Sequence, residues 1–457
     1  MKKGKFEFDL VVLGTGAGGS AAANIAAKNG LKVAVVEKDL FGGESPNYGE
    51  IPLKALSHAA KTLFEARKST KMGIRAGGLS YNFQGLMSWK DLAIERTGAH
   101  DNADFYKKSG IDTFRGEARF ITPHEISVNG EHISAQKFLI ATGSEFEIPE
   151  IANLKNIKFY TPRTILNIPK PPKSIFIIGG NVEAIEIAQI LAILGTKVYI
   201  SEISARLLPR EDEEVGITIE NIMVENMKIF VLPQTRVVAV EKDGMGKKVI
   251  FQRGGSEKFV RVEEILVAGN RIPNTDIGLE NANVDFSKEG IAVNDFLQTT
   301  SKHIFAAGSV LDAKFSTTES LLQSKIVANN ILKPRGKISP DYQAIPRTIS
   351  TIPEIASVGL TEDDCIKRDL KIKTAIAPLN LIARSNTEDF RMGFVKLICD
   401  RRGKILGGSI VGPEASSAIH EIALAIKFDL FAQDLAELPH AFQSWNEAIR
   451  VCASRIH

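Results

Sequence analysis

A glycine-rich turn set between two short apolar strands occurs twice in this chain, and each copy is closed by a glutamate. In the first copy, residues 10–13 form an apolar run and Gly14-Thr15-Gly16-Ala17-Gly18-Gly19 form the turn. An alanine-rich helix is expected to about Asn29, and residues 33–36 form a second strand that ends at Glu37. In the second copy, residues 175–178 are the strand, 179–184 the turn, 185–194 the helix and 198–201 the next strand, which ends at Glu202. Each copy is a βαβ unit. Two such units separated by about 160 residues predict an α/β chain with two Rossmann-like nucleotide-binding domains.

The first turn assigns a task to each glycine. Gly14 permits the tight turn, Gly16 lets the backbone approach a pyrophosphate, and Gly19 allows the helix to pack closely on the strand. The helix N-terminus offers N–H groups to phosphate oxygens. Glu37 lies 18 residues past Gly19 and can accept from a ribose hydroxyl, with Lys38 beside it. A purely structural glycine turn is the alternative.

With 457 residues, the chain is long enough for about three domains of roughly 150 residues each. A net charge of +3 gives no support to a nucleic-acid or membrane partner. Lys2, Lys3 and Lys5 read as a solvated basic start, and no secretory apolar region follows them. The longest apolar run, residues 174–195, is interrupted by Glu183 and Glu186 and reads as a buried strand and helix, not a membrane span. Cys365, Cys399 and Cys452 lie far apart and form no CxxC, as expected of buried thiols in a reducing, cytoplasmic setting. No metal site is assigned. The proline-rich segment at 168–172 leads into the second domain. Beyond Pro340, strand-like pieces at 395–399 and 405–411 precede a helix at 415–428 and indicate a third, α+β domain.

The segment Gly42-Gly43-Glu44-Ser45-Pro46-Asn47-Tyr48-Gly49-Glu50-Ile51-Pro52-Leu53-Lys54-Ala55-Leu56 resembles the redox-active segment of the pyridine nucleotide-disulfide oxidoreductases, the family of dihydrolipoamide dehydrogenase and mercuric reductase. The resemblance covers essentially the whole chain. It implies a cysteine pair at the positions that here hold Ser45 and Glu50. A hydroxyl and a carboxylate form no disulfide and supply no thiolate.

The same resemblance implies FAD at the first site. It adds Gly42, Gly43, Ala118 within Gly116-Glu117-Ala118-Arg119-Phe120, and Ala141-Thr142-Gly143-Ser144 to the cofactor contacts. It also adds Gly308 and Ser309 within Phe305-Ala306-Ala307-Gly308-Ser309-Val310, where Ser309 stands in place of an aspartate. A serine hydroxyl still hydrogen-bonds a ribityl hydroxyl, without the strength of a charged acceptor. At the second site the implied contacts are Gly179, Gly180, Glu202, Val237 and Gly269. Asn181 occupies the middle glycine position, and its side chain takes space a phosphate needs. Glu202 suits a free 2′-hydroxyl and so NAD(H). The segment Ala268-Gly269-Asn270-Arg271-Ile272-Pro273-Asn274 resembles the family's stretch on the nicotinamide side, with Asn270 replacing a glycine.

Lys54 and Glu186 match a family ion pair beside the flavin, where a cation stabilises negative charge on the reduced ring. Glu50 precedes Lys54 by four residues, a favourable helical pairing. Its roles are therefore partner of Lys54, general base or polar filler. Pro439-His440-Ala441-Phe442-Gln443-Ser444-Trp445-Asn446-Glu447-Ala448 resembles the family segment that carries the acid-base histidine of the dithiol chemistry. Phe442 replaces that histidine and moves no proton. Glu447 is retained, and His440 is assigned a structural role. Residues 352–362 and 393–399 resemble the family's interface domain, which implies a C2 homodimer.

The domains expected are an FAD-binding domain at 1–150 with 274–340, an NAD-binding domain at 151–273 and a dimerisation domain at 341–457. The expected function is an FAD-dependent, NAD(H)-linked oxidoreductase with a small-molecule, non-disulfide acceptor: a quinone, dye, oxygen, metal ion or second nicotinamide. The alternatives are an inactive FAD-binding or interaction homologue, and a flavoenzyme with Glu50 as base on an organic substrate.

Overall fold

The structure is a computed structural model that describes residues 6–75 and 77–456; Lys2, Lys3 and Lys5 lie outside the described residues. Its contacts divide the chain into two compact units. The first comprises the described residues up to Pro52 with Ser88–Glu147 and Asn270–Tyr342, and the second comprises Leu53–Met87, Ile148–Gly269 and the described residues from Gln343 onward.

The first unit is built on the strand Phe8–Leu13, nearly every residue of which is buried. Apolar residues on both faces suit a central strand of a parallel sheet covered on both sides. It pairs in parallel with Val33–Glu37 on one edge (Leu13 opposite Val36) and with Glu131–Ile140 on the other (Leu13 opposite Ile140). The side chains alternate. Val11, Ala34 and Phe138 enter one core, and Leu10, Val12 and Leu139 enter the other. Each fully buried branched or aromatic side chain of this kind contributes about 1.5–3 kcal/mol. The helix Ala17–Lys28 turns Gly18, Gly19, Ala22, Ala23 and Ala26 inward. These small residues let it lie close to the helix Thr317–Leu332, where the Ser324 hydroxyl accepts from the Ala22 N–H at 2.9 Å.

The second unit contains the duplicate parallel sheet, in the order Phe230–Leu232, Lys197–Ser201, Ser174–Ile178, Glu264–Val267. The apolar run 174–195 resolves into the strand Ser174–Ile178 and the helix Val182–Ile193. That helix begins at Val182, three residues before the start expected from the sequence, because the Asn181 side chain caps it. A three-stranded antiparallel sheet (Arg236–Asp243, Gly246–Arg253, Ser256–Val262) follows. A five-stranded antiparallel sheet then runs Arg347–Ile349, Glu354–Gly359, Ile405–Gly412, Phe394–Asp400, Ile372–Pro378. The helices Ala415–Lys427 and Glu447–Ala453 share its core, so the last third is α+β. Among the described residues, no helix is long and apolar enough to cross a membrane.

Candidate functional site

The first glycine turn leaves the C-terminal end of the strand Phe8–Leu13. Gly14 has φ +100°, and a Cβ there would lie 2.2 Å from the Ala141 carbonyl oxygen. Gly16 is different in kind: its φ is −70°, and the nearest atom to a built Cβ is Gly43 Cα at 3.7 Å. No side chain caps the helix at Gly16. Backbone N–H groups at such a terminus are what an anion accepts from. Glu37 is buried and braces the turn. Its Oε2 accepts from the Thr15 N–H at 3.0 Å and the Thr15 hydroxyl at 2.7 Å, and its Oε1 accepts from the Asp39 N–H at 3.0 Å.

Several sequence-assigned residues converge here. The Gly42 N–H donates to Thr15 Oγ1 at 3.0 Å, and a Cβ on Gly43 would lie 2.6 Å from Gly16 Cα. A Cβ on Gly18 would meet the Ala307 carbonyl oxygen at 2.7 Å, and one on Gly19 the Gly14 oxygen at 2.1 Å. The Gly308 N–H donates to the buried Gln323 Oε1 at 2.6 Å. A Cβ built on Gly143 would be 3.8 Å from Ser309 Oγ. Thr142 and Asn274 bond reciprocally, the Thr142 hydroxyl to the Asn274 carbonyl at 2.8 Å and Asn274 Nδ2 to the Thr142 carbonyl at 2.9 Å. Ser144 begins a strand that pairs with Arg271–Pro273, and Arg271 Nη2 lies 3.3 Å from Glu44 Oε1. Arg271 and Asn274 therefore have these partners in the first unit, whereas the sequence reading put their segment with the second site. Ala118 is buried at the head of a strand, and Lys38 is exposed.

Sequence reasoning missed Thr15, Tyr106 and Gln323. Thr15 sits inside the fingerprint, where any residue is allowed, so only its hydroxyl marked it. The Tyr106 hydroxyl donates to the Thr15 carbonyl at 3.1 Å, and burial, then the charge of Glu37, push the phenol's pKa up. Nothing local marked a contact across 91 residues.

The second turn repeats the first almost bond for bond. Gly179 has φ +113°, and a Cβ there would lie 2.0 Å from the Ala268 carbonyl oxygen. Glu202 accepts from the Gly180 N–H at 2.8 Å and the Ser204 N–H at 2.7 Å. The middle position differs. Asn181 Oδ1 accepts from the Ala184 N–H at 3.0 Å, and Nδ2 donates to the Gly269 carbonyl at 3.0 Å. Val237 is not part of this set: it packs in the apolar core with Phe176, Val249 and Val267.

Ser45 and Glu50 are joined directly. The Ser45 hydroxyl donates to Glu50 Oε2 at 2.6 Å. Ser45 lies on the short helix Glu44–Asn47 and Glu50 begins the helix Glu50–Lys68. The bend at 48–49 folds one back on the other, with the Tyr48 and Gly49 N–H groups both donating to the Glu44 carbonyl at 2.8 Å. Ser45 therefore holds Glu50, where the sequence reading favoured Lys54. Lys54 is exposed. Glu186 is buried and accepts from the Ser350 N–H at 2.6 Å.

In the C-terminal segment Phe442 is 80% exposed. Glu447 Oε2 accepts from the Gln443 N–H at 2.9 Å, tying the start of its helix to the preceding loop. The His440 ring bridges Glu421 Oε1 and the Leu438 carbonyl, both at 2.8 Å.

Residues 8–328 match the family described as pyridine nucleotide-disulphide oxidoreductase, and residues 345–452 match its dimerisation domain. The chain belongs to the pyridine nucleotide-disulphide oxidoreductase family. It is 33% identical over 461 residues to a dihydrolipoyl dehydrogenase of Thermus scotoductus, covering 98% of this chain and 97% of the relative. It is 30% identical over 449 residues to a mercuric reductase of Lysinibacillus sphaericus, covering 98% and 82%. A solved structure of the HOCl-induced flavoprotein disulfide reductase RclA from Escherichia coli superposes with a TM-score of 0.86 at 25% identity, covering 98% of this chain and all of that one. Enzymes of the pyridine nucleotide-disulphide oxidoreductase family are FAD-dependent and use NAD(P)H as the pyridine nucleotide. The dimerisation domain supports a homodimer.

This member of the family carries three cysteines, all free and buried. Burial and the neighbouring Asp400 push the Cys399 thiol up to about 12. Burial pushes Cys452 to about 12 as well, and its S–H donates to the Ala375 carbonyl at 3.2 Å. Burial likewise raises Cys365. Thiols held this way are protonated and shielded at neutral pH. The folded protein is expected to release no chromophore from DTNB at pH 8, and three equivalents after denaturation, one for each free cysteine. Rapid labelling of the native protein would contradict this.

Proposed function

We propose that this chain is an FAD-dependent oxidoreductase that takes electrons from NAD(H) and delivers them to a small-molecule acceptor other than a disulfide. The hydrogen bond from Ser45 to Glu50 carries the reading. The segment that resembles the family's redox-active one is closed by a hydroxyl and a carboxylate 2.6 Å apart, a pair that cannot be reduced. The buried, raised thiols of Cys365, Cys399 and Cys452 support the same exclusion.

The first turn fits FAD. A Cβ built on Gly16 would meet nothing nearer than Gly43 Cα at 3.7 Å, so the backbone there is open to a phosphate, the helix terminus is uncapped, and Glu37 retains lone pairs beside its backbone bonds. Gly14–Gly19, Glu37, Gly42, Gly43, Thr142, Gly143, Gly308 and Ser309 are the residues assigned to hold it. Bound there, it would supply two-electron transfer chemistry. Lys54 is assigned to stabilise negative charge at the ring, and the Ser45–Glu50 pair to present a bound acceptor with hydrogen-bond acceptor oxygens. On this reading the FAD-binding domain is 1–150 with 274–340, the NAD-binding domain 151–273 and the dimerisation domain 341–457, and the homodimer works in the cytoplasm.

A second reading, a homologue that keeps flavin without turnover, is favoured by one observation: the second nucleotide loop is closed by its own Asn181 side chain. Anaerobic mixing of the flavin-loaded protein with millimolar NADH separates the two. Bleaching of the flavin absorbance, with no detectable reduction of lipoamide, is expected. A flavin that stays oxidised would leave the second reading standing, and lipoamide turnover would sink the exclusion of disulfide chemistry.

A further inference from the structure

The two fingerprint turns form an internal control. Both begin with a glycine at positive φ pressed on a carbonyl oxygen, Gly14 on Ala141 and Gly179 on Ala268. Both are braced by a glutamate that accepts from the next residue's N–H and from the N–H two residues past itself: Glu37 from Thr15 and Asp39, Glu202 from Gly180 and Ser204. In both, the turn and its facing loop follow adjacent parallel strands, Phe8–Leu13 beside Glu131–Ile140 and Ser174–Ile178 beside Glu264–Val267. Ligands of open α/β sheets lie in that crevice. The copies differ at several residues, but at the middle position the difference reaches the crevice itself. Gly16 leaves its crevice clear and its helix uncapped. Asn181 spans the corresponding crevice, with Oδ1 on the Ala184 N–H of the helix and Nδ2 on the Gly269 carbonyl of the facing loop.

We propose that Asn181 is a built-in cap that occupies the pyrophosphate position of the second nucleotide site, and that a dinucleotide enters only by displacing it. The proposal rests on the reading that this domain takes NAD(H), and it adds the step that limits the binding. A pyrophosphate needs the N–H groups at the start of the helix Val182–Ile193. One of these, that of Ala184, is already satisfied by a carbonyl oxygen covalently tied to the loop. To vacate it, the amide must break both bonds and leave the Gly269 carbonyl without its donor. An anion bound here therefore competes with a ligand at very high effective concentration. The backbone at Asn181, φ −79° and ψ −177°, is ordinary extended geometry. Glycine is thus not required there for folding. Since glycine serves nearly as well as asparagine at an N-cap, removing the side chain opens the crevice with little cost to the helix.

The test is calorimetric titration of the flavin-loaded, full-length protein with ADP-ribose, which retains the pyrophosphate and carries no nicotinamide. Asn181→Gly is expected to bind it about tenfold or more tightly than the parent chain, the loss of two competing hydrogen bonds. Asn181→Asp keeps the cap, adds a negative charge facing the phosphates, and is expected to bind more weakly than the parent. Circular dichroism melts check that both variants fold. Equal dissociation constants for the parent and Asn181→Gly, or no binding by either, would overturn the proposal. The outcome is separable from the fate of the functional reading. If Asn181→Gly gains affinity for ADP-ribose while NADH still fails to bleach the flavin, the NAD(H)-linked activity fails and the cap stands. If NADH bleaches both proteins at the same concentration and ADP-ribose binds both alike, the cap fails and the activity stands.

Discussion

Gly14→Ala is expected to destabilise the protein by about 2–5 kcal/mol, whereas Gly16→Ala, two residues away, costs only about 1 kcal/mol but releases the flavin. At Gly14 the φ of +100° strains any L side chain, and the added methyl would sit 2.2 Å from the backbone oxygen of Ala141, which follows a paired strand and is tied by its N–H to the Leu13 carbonyl at 2.8 Å. Left-handed strain of about 1–2 kcal/mol and overpacking of about 1–3 kcal/mol make up the larger figure. At Gly16 the φ is negative and the nearest neighbour of a methyl is 3.7 Å away, so the fold accepts it. The methyl instead stands where a pyrophosphate must approach the chain. Urea melts and the flavin-to-protein absorbance ratio of the two variants check this. Parent-like stability for Gly14→Ala, or full flavin retention by Gly16→Ala, would refute the division of labour.

Lys396→Met is expected to cost about 3 kcal/mol at neutral pH. Lys396 is 1% exposed, and its ammonium contacts Glu214 at 2.7 Å, Glu362 at 2.8 Å and Asp212 at 3.6 Å. The figure sits at the low end for a broken buried ion pair, because Glu214 and Glu362 are more than a third exposed and water screens them. Asp212 is the group left stranded. Burial pulls the Lys396 pKa down, but its bonds to Glu214 and Glu362 and the charge of Asp212 outweigh that and hold it above 10.5. Its contribution is therefore fully present below 10.5 and is lost as pH rises through the folded value. Burial raises Asp212 above its ordinary value, so in acid it takes up a proton more readily folded than unfolded. The gap between parent and variant in urea midpoint should be widest near neutrality, and should narrow both above 10.5 and as pH falls through the Asp212 titration. A gap below about 1 kcal/mol at pH 7 would show the network to be solvated after all.

Much of the fold could be read from residues in order. The two βαβ units, the glutamates that close them and the α+β character of the last third come from periodicity and glycine placement, which are properties of neighbouring residues. The site was legible in part for the same reason. Gly14, Gly16, Gly18, Gly19 and Glu37 are local, and the structure gathers Gly42, Gly43, Thr142, Gly143, Gly308 and Ser309 around them. What could not be read was the choice among partners. The i,i+4 spacing offered Lys54 to Glu50, but the bend at 48–49 brings Ser45 to it first. Glu186 was given to Lys54, and the packed chain also brings to it a backbone N–H 164 residues away, which the sequence did not signal. Val237 was assigned to a nucleotide, and the core of its sheet takes it.

The sequence alone thus determined that two nucleotide folds are present, that residues 42–56 contain no cysteine, and that an asparagine stands where the second fingerprint expects glycine. Each of these depends only on which residue occupies which position in a short, regular element. Only the tertiary structure decided that Ser45 and Glu50 close on each other, that Asn181 reaches across to Gly269, and that three carboxylates from two separate segments surround Lys396. A side chain's hydrogen-bond partner is set by which acceptors or donors the packed chain brings within about 3 Å. That distance is fixed by sheet register and loop closure over 88 residues for Asn181 and Gly269, and over 182 for Lys396 and Glu214.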